Sequence, residues 1–465
     1  MSAKSFKITD TFVKQLTAAT GPGNVLTDEA DRLPYGYDNS RLQALPSAVV
    51  FATTHEQVKR IVGLCNEHKF PLVTRGRGTG TTGAAVPIED AIVLSLERME
   101  NILRLDPENR VMVVQPGVTN LAVQEAAAAH HLFWPPDPTS AATCTVGGNL
   151  ACNAAGPRAV KYGTARENTL GLRAVIGSGE EIRTGVYTTK GVVGYDLTRL
   201  LIGSEGTLAV ITEATLKLTP LQPARRTLRA VYQDISGAAT AISRIMGQAV
   251  IPCALEFMDG MAIEMVRNIS EAELPRGAGA LLMIEVDGTV EAIDSTARTV
   301  ADAARVDGLI ELETAASDRE VAALWATRRA LSPALRNIAP KKINEDVVVP
   351  VSRVPELING LQNLAGEFGI TIVNFGHAGN GNIHVNLLID PDDPGQVKNA
   401  NICLEKVFDL VLSLTGTLSG EHGIGLVKRD MVAREIDPVS LDLMRRIKAQ
   451  FDPNGILNPH KTIPD

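Results

Sequence analysis

Aromatic residues are scarce in this chain, with 2 Trp, 6 Tyr and 10 Phe among 465 residues. Binders of single-stranded nucleic acid stack bases on aromatic platforms, so that class is disfavoured. A basic excess is missing as well. Lys and Arg number 45 against 53 Asp and Glu, a formal net charge of −8, whereas a nucleic-acid footprint is basic. The five cysteines (Cys65, Cys144, Cys152, Cys253, Cys403) include no C-x-x-C pair. Iron–sulfur and structural-zinc clusters are thereby disfavoured. An odd, scattered count fits a reducing compartment without a disulfide framework. Long apolar runs are absent too. The N-terminal MSAKSFKITDTFVKQL has no apolar core of the signal-peptide kind. The nearly uncharged stretch 132–157 is rich in Pro, Gly, Ser and Thr, whereas a membrane span needs about 20 mostly apolar residues. A cytosolic protein is expected, and peripheral attachment at the inner face of a membrane is compatible with this.

The length calls for two or three domains. Residues 48–52 read as a buried strand, 55–68 as a helix with Val58, Ile61, Val62 and Cys65 at helical spacing, and 71–74 as a second strand. This is a β-α-β unit. Further strands are expected at 91–96, 102–106 and 111–115. Residues 135–170 read as loop-rich. Strand signals return at 173–176, 181–183 and 208–218. Segment 226–350 alternates strands and helices and suggests a separate α+β domain. Helices are expected near 399–415 and 437–451.

Gly78-Thr-Gly-Thr-Thr-Gly83 is a G-x-G-x-x-G string after a strand. A dinucleotide-binding Rossmann turn runs straight into a helix that holds the pyrophosphate. Here Pro87 and the apolar run 91–96 leave no room for a long helix. The string reads better as a loop of bare amides that cradles phosphate, with Arg75 and Arg77 favouring the anion. A plain surface loop is the alternative. Thr143–Gly156 is a second stretch of small residues and amides, and Gly203-Ser-Glu-Gly-Thr207 a third. Three such loops converging on one ligand suit a large cofactor.

His377-Ala-Gly-Asn-Gly-Asn-Ile-His384 brackets a reversal favoured by Gly and Asn. Two imidazoles brought side by side suit Zn, Mn or Fe. Glu421 in Gly420-Glu-His-Gly-Ile-Gly425 is the natural third ligand, and three protein ligands leave a position open for substrate. Structural histidines on a glycine loop are the alternative. His422 directly follows Glu421, and an imidazole suits the removal of a hydroxyl proton.

Taken in order, Arg75-Gly-Arg-Gly-Thr79, Pro136-Asp-Pro-Thr-Ser140, Thr145-Val-Gly-Gly-Asn149, Lys161-Tyr-Gly163 and Gly203-Ser-Glu-Gly-Thr207 resemble the FAD-binding domain of the vanillyl-alcohol-oxidase/PCMH type. His377–His384 and Gly420–Gly425 resemble its D-lactate dehydrogenase, glycolate oxidase and D-2-hydroxyglutarate dehydrogenase branch. The match runs from about residue 45 to the C-terminus.

The resemblance implies an α+β fold. A two-subdomain PCMH-type FAD-binding domain (45–222) would follow an N-terminal helical extension (1–44). An α+β substrate or cap domain with a central antiparallel sheet would span 223–420, and a helical segment (421–465) would return to the FAD domain. Arg75, Gly76, Arg77, Gly78, Thr79, Gly80 and Gly83 would wrap the pyrophosphate. Pro138, Thr139, Thr145, Gly148, Asn149, Asn153, Gly156, Tyr162 and Gly163 would line the rest of the FAD path, completed by Glu205, Ile211 and Asn458. No histidine stands in the first glycine loop, so FAD is expected to be non-covalent. Trp325-Ala-Thr-Arg328 resembles the segment whose arginine holds a substrate carboxylate, a task suited to its bidentate fork. Ser332, Lys342 and Asn382 join it as substrate residues. His377, His384 and Glu421 would bind the metal, with His422 as base.

The implied activity is metal-assisted oxidation of a D-2-hydroxy acid, D-lactate or glycolate favoured, by hydride transfer to flavin N5. A D-2-hydroxyglutarate enzyme and a non-redox transferase like alkylglycerone-phosphate synthase are the alternatives. Electrons would leave to a quinone, a cytochrome, an electron-transfer flavoprotein or a partner protein, and a homodimer is also compatible. Two departures stand out: Asn153-Ala-Ala-Gly156 replaces Asn-Ala-Gly-Gly, and Asn380 stands where relatives carry Asp.

Overall fold

Short buried apolar runs build the first sheet. In the computed structural model, which describes residues 8–88, 90–267, 270, 274–335 and 339–464, β1 (Val25–Leu26) pairs antiparallel with β2 (Ala48–Phe51). The helix His55–His68 follows. Thr54 caps it by accepting the Gln57 N–H, and the turn closes at Lys69 with φ +57°. Val58, Ile61, Val62 and Cys65 form its buried stripe and pack with Val50, Leu72, Ile92 and Leu94 of the sheet. The chain returns in β3 (Leu72–Arg75), and β4 (Ile92–Ser95) inserts between β2 and β3, parallel to both.

The chain then passes through β5 (Ile102–Asp106), β6 (Val111–Val114), β7 (Leu132–Phe133), β8 (Thr169–Ile176), β9 (Glu181–Gly185), β10 (Ala209–Lys217) and β11 (Thr219–Pro220). β7 and β11 pair with each other. The rest form an antiparallel sheet in the order β5-β6-β10-β8-β9. Trp134 is fully buried in its core, and the indole N–H donates to the Asn168 carbonyl at 3.0 Å. Residues 135–170, read as loop-rich, contain the helix Val146–Cys152. Thr145 accepts the Gly148 N–H at its start, and Asn153 at φ +53° ends it. A cap at each end lets two glycines sit inside a helix that composition argues against.

The second sheet system consists of β12 (Ala224–Tyr232), β13 (Ala254–Asp259), β14 (Ala280–Gly288), β15 (Leu309–Thr314), β16 (Lys341–Val348), β17 (Thr371–His377) and β18 (Asn382–Ile389). They form one antiparallel sheet in the order β15-β12-β14-β13-β17-β18-β16. The helices Gly260–Val266 and Asp318–Ala334 pack on the face that presents Met258, Met283, Val373 and Phe375.

By its own contacts the chain divides into two units. One comprises Met1–Ala155, Gly163–Leu221 and Glu421–Asp465, the other Gly156–Tyr162 and Gln222–Gly420. The C-terminal segment belongs to the first because its backbone joins the first sheet. Leu72 donates to Ile456 at 2.7 Å, and Asn458 donates back to Leu72 at 2.8 Å.

Candidate functional site

In the first unit the turn after β3 carries the G-x-G-x-x-G string with no helix behind it. Gly78 and Gly83 sit at φ +65° and +79°. A Cβ at Gly76 would overlap Thr145 Oγ1, and one at Gly78 would overlap the Arg75 guanidinium. A side chain at either position would force a neighbour to move, and Gly78 also needs its positive φ. Among the described residues, no protein acceptor takes the backbone N–H groups of residues 76–82. Such a row of amides fits an anionic pyrophosphate. The Arg75 guanidinium itself turns away, donating to the Tyr37 carbonyl at 2.8 Å and the Pro34 carbonyl at 3.3 Å. Arg75 shapes the loop, and the backbone faces outward. Arg77 is exposed.

Several expected cofactor residues spend their side chains on architecture. Asn149 accepts from Asn120 at 3.2 Å. Asn153 accepts the Thr164 hydroxyl at 2.8 Å and the Arg166 N–H at 2.9 Å. Ile211 is buried in the antiparallel core. Pro138, Thr139 and Gly148 lie at the surface of the loop and helix that follow β7, with Thr139 and Gly148 exposed. Gly163 turns the chain at φ +79°.

The segment Gly423–Gly425 meets the Gly203–Thr207 loop through Glu205. Its carboxylate accepts the N–H groups of Ile424 at 2.6 Å and Gly425 at 2.8 Å, and the Thr462 hydroxyl. Burial pushes the Glu205 carboxyl above its ordinary range. The Thr82 hydroxyl donates to the His422 carbonyl at 3.3 Å. Gly423 and Gly425 have positive φ, and a Cβ on them would overlap Glu205 and the Thr82 carbonyl. Asn458 donates to the carbonyls of Ala84 and Glu205. Lys461 donates to the carbonyls of Ala84 and Val86 and to Asn458 Oδ1. Burial pushes its ammonium down to about 7.

The second unit holds the histidine pair. β17 and β18 form the expected hairpin, closed by a short 3₁₀ turn and by Gly381 at φ +71°. The register sets His377 opposite Asn382 and Phe375 opposite His384. The two imidazoles are diagonal neighbours on one face, with ring centroids 5.2 Å apart and planes at 84°. Both are buried.

Next to them lies a residue that motif reading missed. Glu256 on β13 stands opposite His377 in the register and is 0% exposed. One oxygen lies 2.7 Å from His377 Nδ1, and the other accepts the Arg328 Nε–H at 2.6 Å. Burial pushes its carboxyl up, but His377 and Arg328 outweigh this and hold it below the ordinary range. Its signal in the sequence was a carboxylate in the middle of the apolar strand Ala-Leu-Glu-Phe-Met-Asp, where a buried charge demands partners. With Nδ1 engaged, Nε2 is the atom of His377 suited to a cation.

Arg328 sits on the helix Asp318–Ala334, and its guanidinium lies 5.0 Å from the Phe375 ring. Among the described residues, its two terminal nitrogens donate to no protein acceptor. Trp325 and Ser332 follow the same helical stripe. Trp325 donates to Glu285 at 3.1 Å, and Lys342 on β16 donates to the Ser332 hydroxyl at 2.8 Å. Asn382 is buried, with Nδ2 donating to the Val347 carbonyl at 3.3 Å and Oδ1 lacking a partner. Asp346, also missed, stands opposite His384 and is 0% exposed. It accepts the Ser419 hydroxyl at 3.1 Å and the Gly420 N–H at 3.0 Å, fixing the residue that precedes Glu421. Gly156 and Tyr162 fall within this second unit. The Tyr162 hydroxyl donates to Asp287 at 2.6 Å.

A model of the C-terminal domain of FAD-linked oxidases matches residues 221–462, and an FAD-binding domain model matches residues 46–185. This chain belongs to the FAD-linked oxidases. The oxidase is 37% identical to glycolate oxidase subunit GlcD of Bacillus subtilis over 455 residues, 98% of this chain and 97% of that one. It is 38% identical to D-lactate dehydrogenase of Archaeoglobus fulgidus over 438 residues, covering 92% of this chain and 95% of that one. Its fold resembles that of p-cresol methylhydroxylase with substrate bound, with a TM-score of 0.80 at 20% identity, covering 98% of this chain and 96% of that chain. The oxidase is therefore an FAD-dependent oxidoreductase with the two-domain PCMH-type fold. Among its described residues, no helix is long and apolar enough to cross a membrane.

Proposed function

We propose that the protein oxidises a small D-2-hydroxy acid, with D-lactate or glycolate favoured, to the 2-oxo acid. The observation that carries this reading is the single sheet face shared by Arg328, with two uncommitted guanidinium nitrogens, and the imidazole pair His377 and His384. An anion clamp beside two paired imidazoles suits a carboxylate with a neighbouring hydroxyl.

Arg328 holds the substrate carboxylate, and Ser332, Lys342 and Asn382 add polar contacts around it. His377, His384 and Glu421 would hold a divalent cation, Zn or Mn favoured and Fe also suited. The peptide bond keeps the Cα of Glu421 about 3.8 Å beyond Gly420, and Gly420 is itself tied to Asp346. When bound, the cation supplies polarisation of the substrate hydroxyl and lowers its pKa. His422 accepts the hydroxyl proton. The amides of residues 76–82 would hold non-covalent FAD, whose N5 would be the acceptor for the α-hydride. An external acceptor, a quinone, a cytochrome, an electron-transfer flavoprotein or a partner protein, would take the two electrons. The scattered cysteines offer no cluster of the C-x-x-C kind to take them.

Anaerobic mixing of the yellow, metal-loaded protein with D-lactate, glycolate, D-2-hydroxyglutarate and L-lactate tests this. Loss of the flavin absorbance is expected with D-lactate or glycolate and not with L-lactate. If no D-2-hydroxy acid bleaches the flavin with Zn or Mn present, the assignment fails.

A further inference from the structure

We propose that Glu256 is a positioning residue that serves the cation site and the carboxylate clamp at once. The inference rests on the function proposed above and deepens it. Glu256 lies in the middle of β13 with both oxygens used. The strand register brings one to His377 Nδ1 at 2.7 Å, and the helix Asp318–Ala334 brings Arg328 Nε to the other at 2.6 Å. Solvent does not compete for it, since the residue is 0% exposed.

Each contact has a distinct consequence. The acceptor at Nδ1 fixes the imidazole tautomer and leaves Nε2 basic and directed, as carboxylates behind metal-binding histidines do. The acceptor at Nε holds the guanidinium by its inner edge. Its terminal nitrogens are then presented as a pair to a carboxylate, the geometry in which arginine is strongest. Only a carboxylate accepts from both donors. A glutamine offers one acceptor oxygen and turns its NH₂ towards the other donor. An aspartate is shorter by one methylene and reaches one donor but not both. One buried side chain therefore sets the affinity for the cation and the affinity for the anion, at two points that never share a ligand atom.

The test uses the full flavoprotein and needs no turnover. Zinc affinity is measured by competition with a chromophoric chelator. Pyruvate affinity is measured calorimetrically on the metal-free protein, so that only the clamp is read. Glu256→Gln is expected to weaken zinc binding about 10–100-fold and to weaken pyruvate binding as well. Glu256→Asp is expected to recover one of the two affinities. The double variant E256Q/R328M removes the buried charge at Arg328 and so keeps folding separate from function. Its zinc affinity is expected to stay reduced while its bound flavin and near-ultraviolet circular dichroism match the parent. If E256Q and the double variant bind zinc like the parent, the inference is overturned while the proposed function stands. If the parent itself binds neither zinc nor pyruvate, the proposed function falls and takes this inference with it.

Discussion

Gly425 donates its backbone N–H to Glu205 at 2.8 Å, and this bond seats the His422 loop on the Gly203–Thr207 loop. Three donors converge on that one buried carboxylate: Ile424, Gly425 and the Thr462 hydroxyl. Replacing it by alanine leaves all three unpaired, at about 1–3 kcal/mol each. Glu205→Ala is expected to lose about 3 kcal/mol or more of stability on this basis and to release flavin more readily. Urea unfolding followed by flavin fluorescence measures both.

Arg328 carries two separable tasks. Arg328→Gln strips Glu256 of its buried counter-charge and is expected to cost about 3–5 kcal/mol. Arg328→Lys keeps the charge and loses the fork. It is expected to remain near parental stability while the KM for D-lactate rises about tenfold or more, the loss of one charge-assisted hydrogen bond. Chemical denaturation and steady-state kinetics distinguish the two variants.

His422 is half-buried, and its carbonyl accepts the Thr82 hydroxyl, a backbone contact that a side-chain substitution leaves in place. His422→Gln is expected to slow reduction of the flavin by about 10²–10⁴-fold, the usual contribution of a general base. The melting temperature and flavin content should match the parent. Anaerobic stopped-flow with D-lactate gives the rate.

Lys461 gives the protein a pH signature. Burial pushes its ammonium down to about 7, while an unfolded lysine titrates near 10.4. Between these values the unfolded chain binds more protons than the folded one, so this group's contribution to stability rises with pH. Its penalty is fully present below about 7 and is relieved towards about 10. The difference in melting temperature between the parent and Lys461→Met is therefore expected to move in the parent's favour from pH 7 to about pH 9.5. A difference that stays flat, or moves the other way, contradicts the burial argument.

The hairpin between His377 and His384 was legible because Gly and Asn at a turn carry a local conformational instruction. The stripe Val58, Ile61, Val62 and Cys65 was legible because its period reports a helix face. The helix Val146–Cys152 was not, since its caps at Thr145 and Asn153 outweigh the poor propensity of Gly147 and Gly148. Glu256 and Asp346 escaped because their roles depend on which strands become neighbours, and β13 is far from β17 in sequence, as β16 is from β18. The side chains of Arg75, Asn149 and Asn153 fall in the motifs that pointed to FAD, yet they bond to the protein's own groups. A motif names the positions that build a loop without separating those that touch a ligand from those that hold the loop's shape.

The bridge from Leu72 to Leu457 joins residues far apart in the order of synthesis. The unit that carries the glycine-rich loop lacks Asn458 and Lys461 until those residues have been made. The intervening unit, Gln222–Gly420 with the short piece Gly156–Tyr162, is made in full before then. Synthesis order and completion order therefore differ. The seven-stranded sheet with its imidazoles and Glu256 forms from chain already in hand, and the cofactor loop is the part that waits.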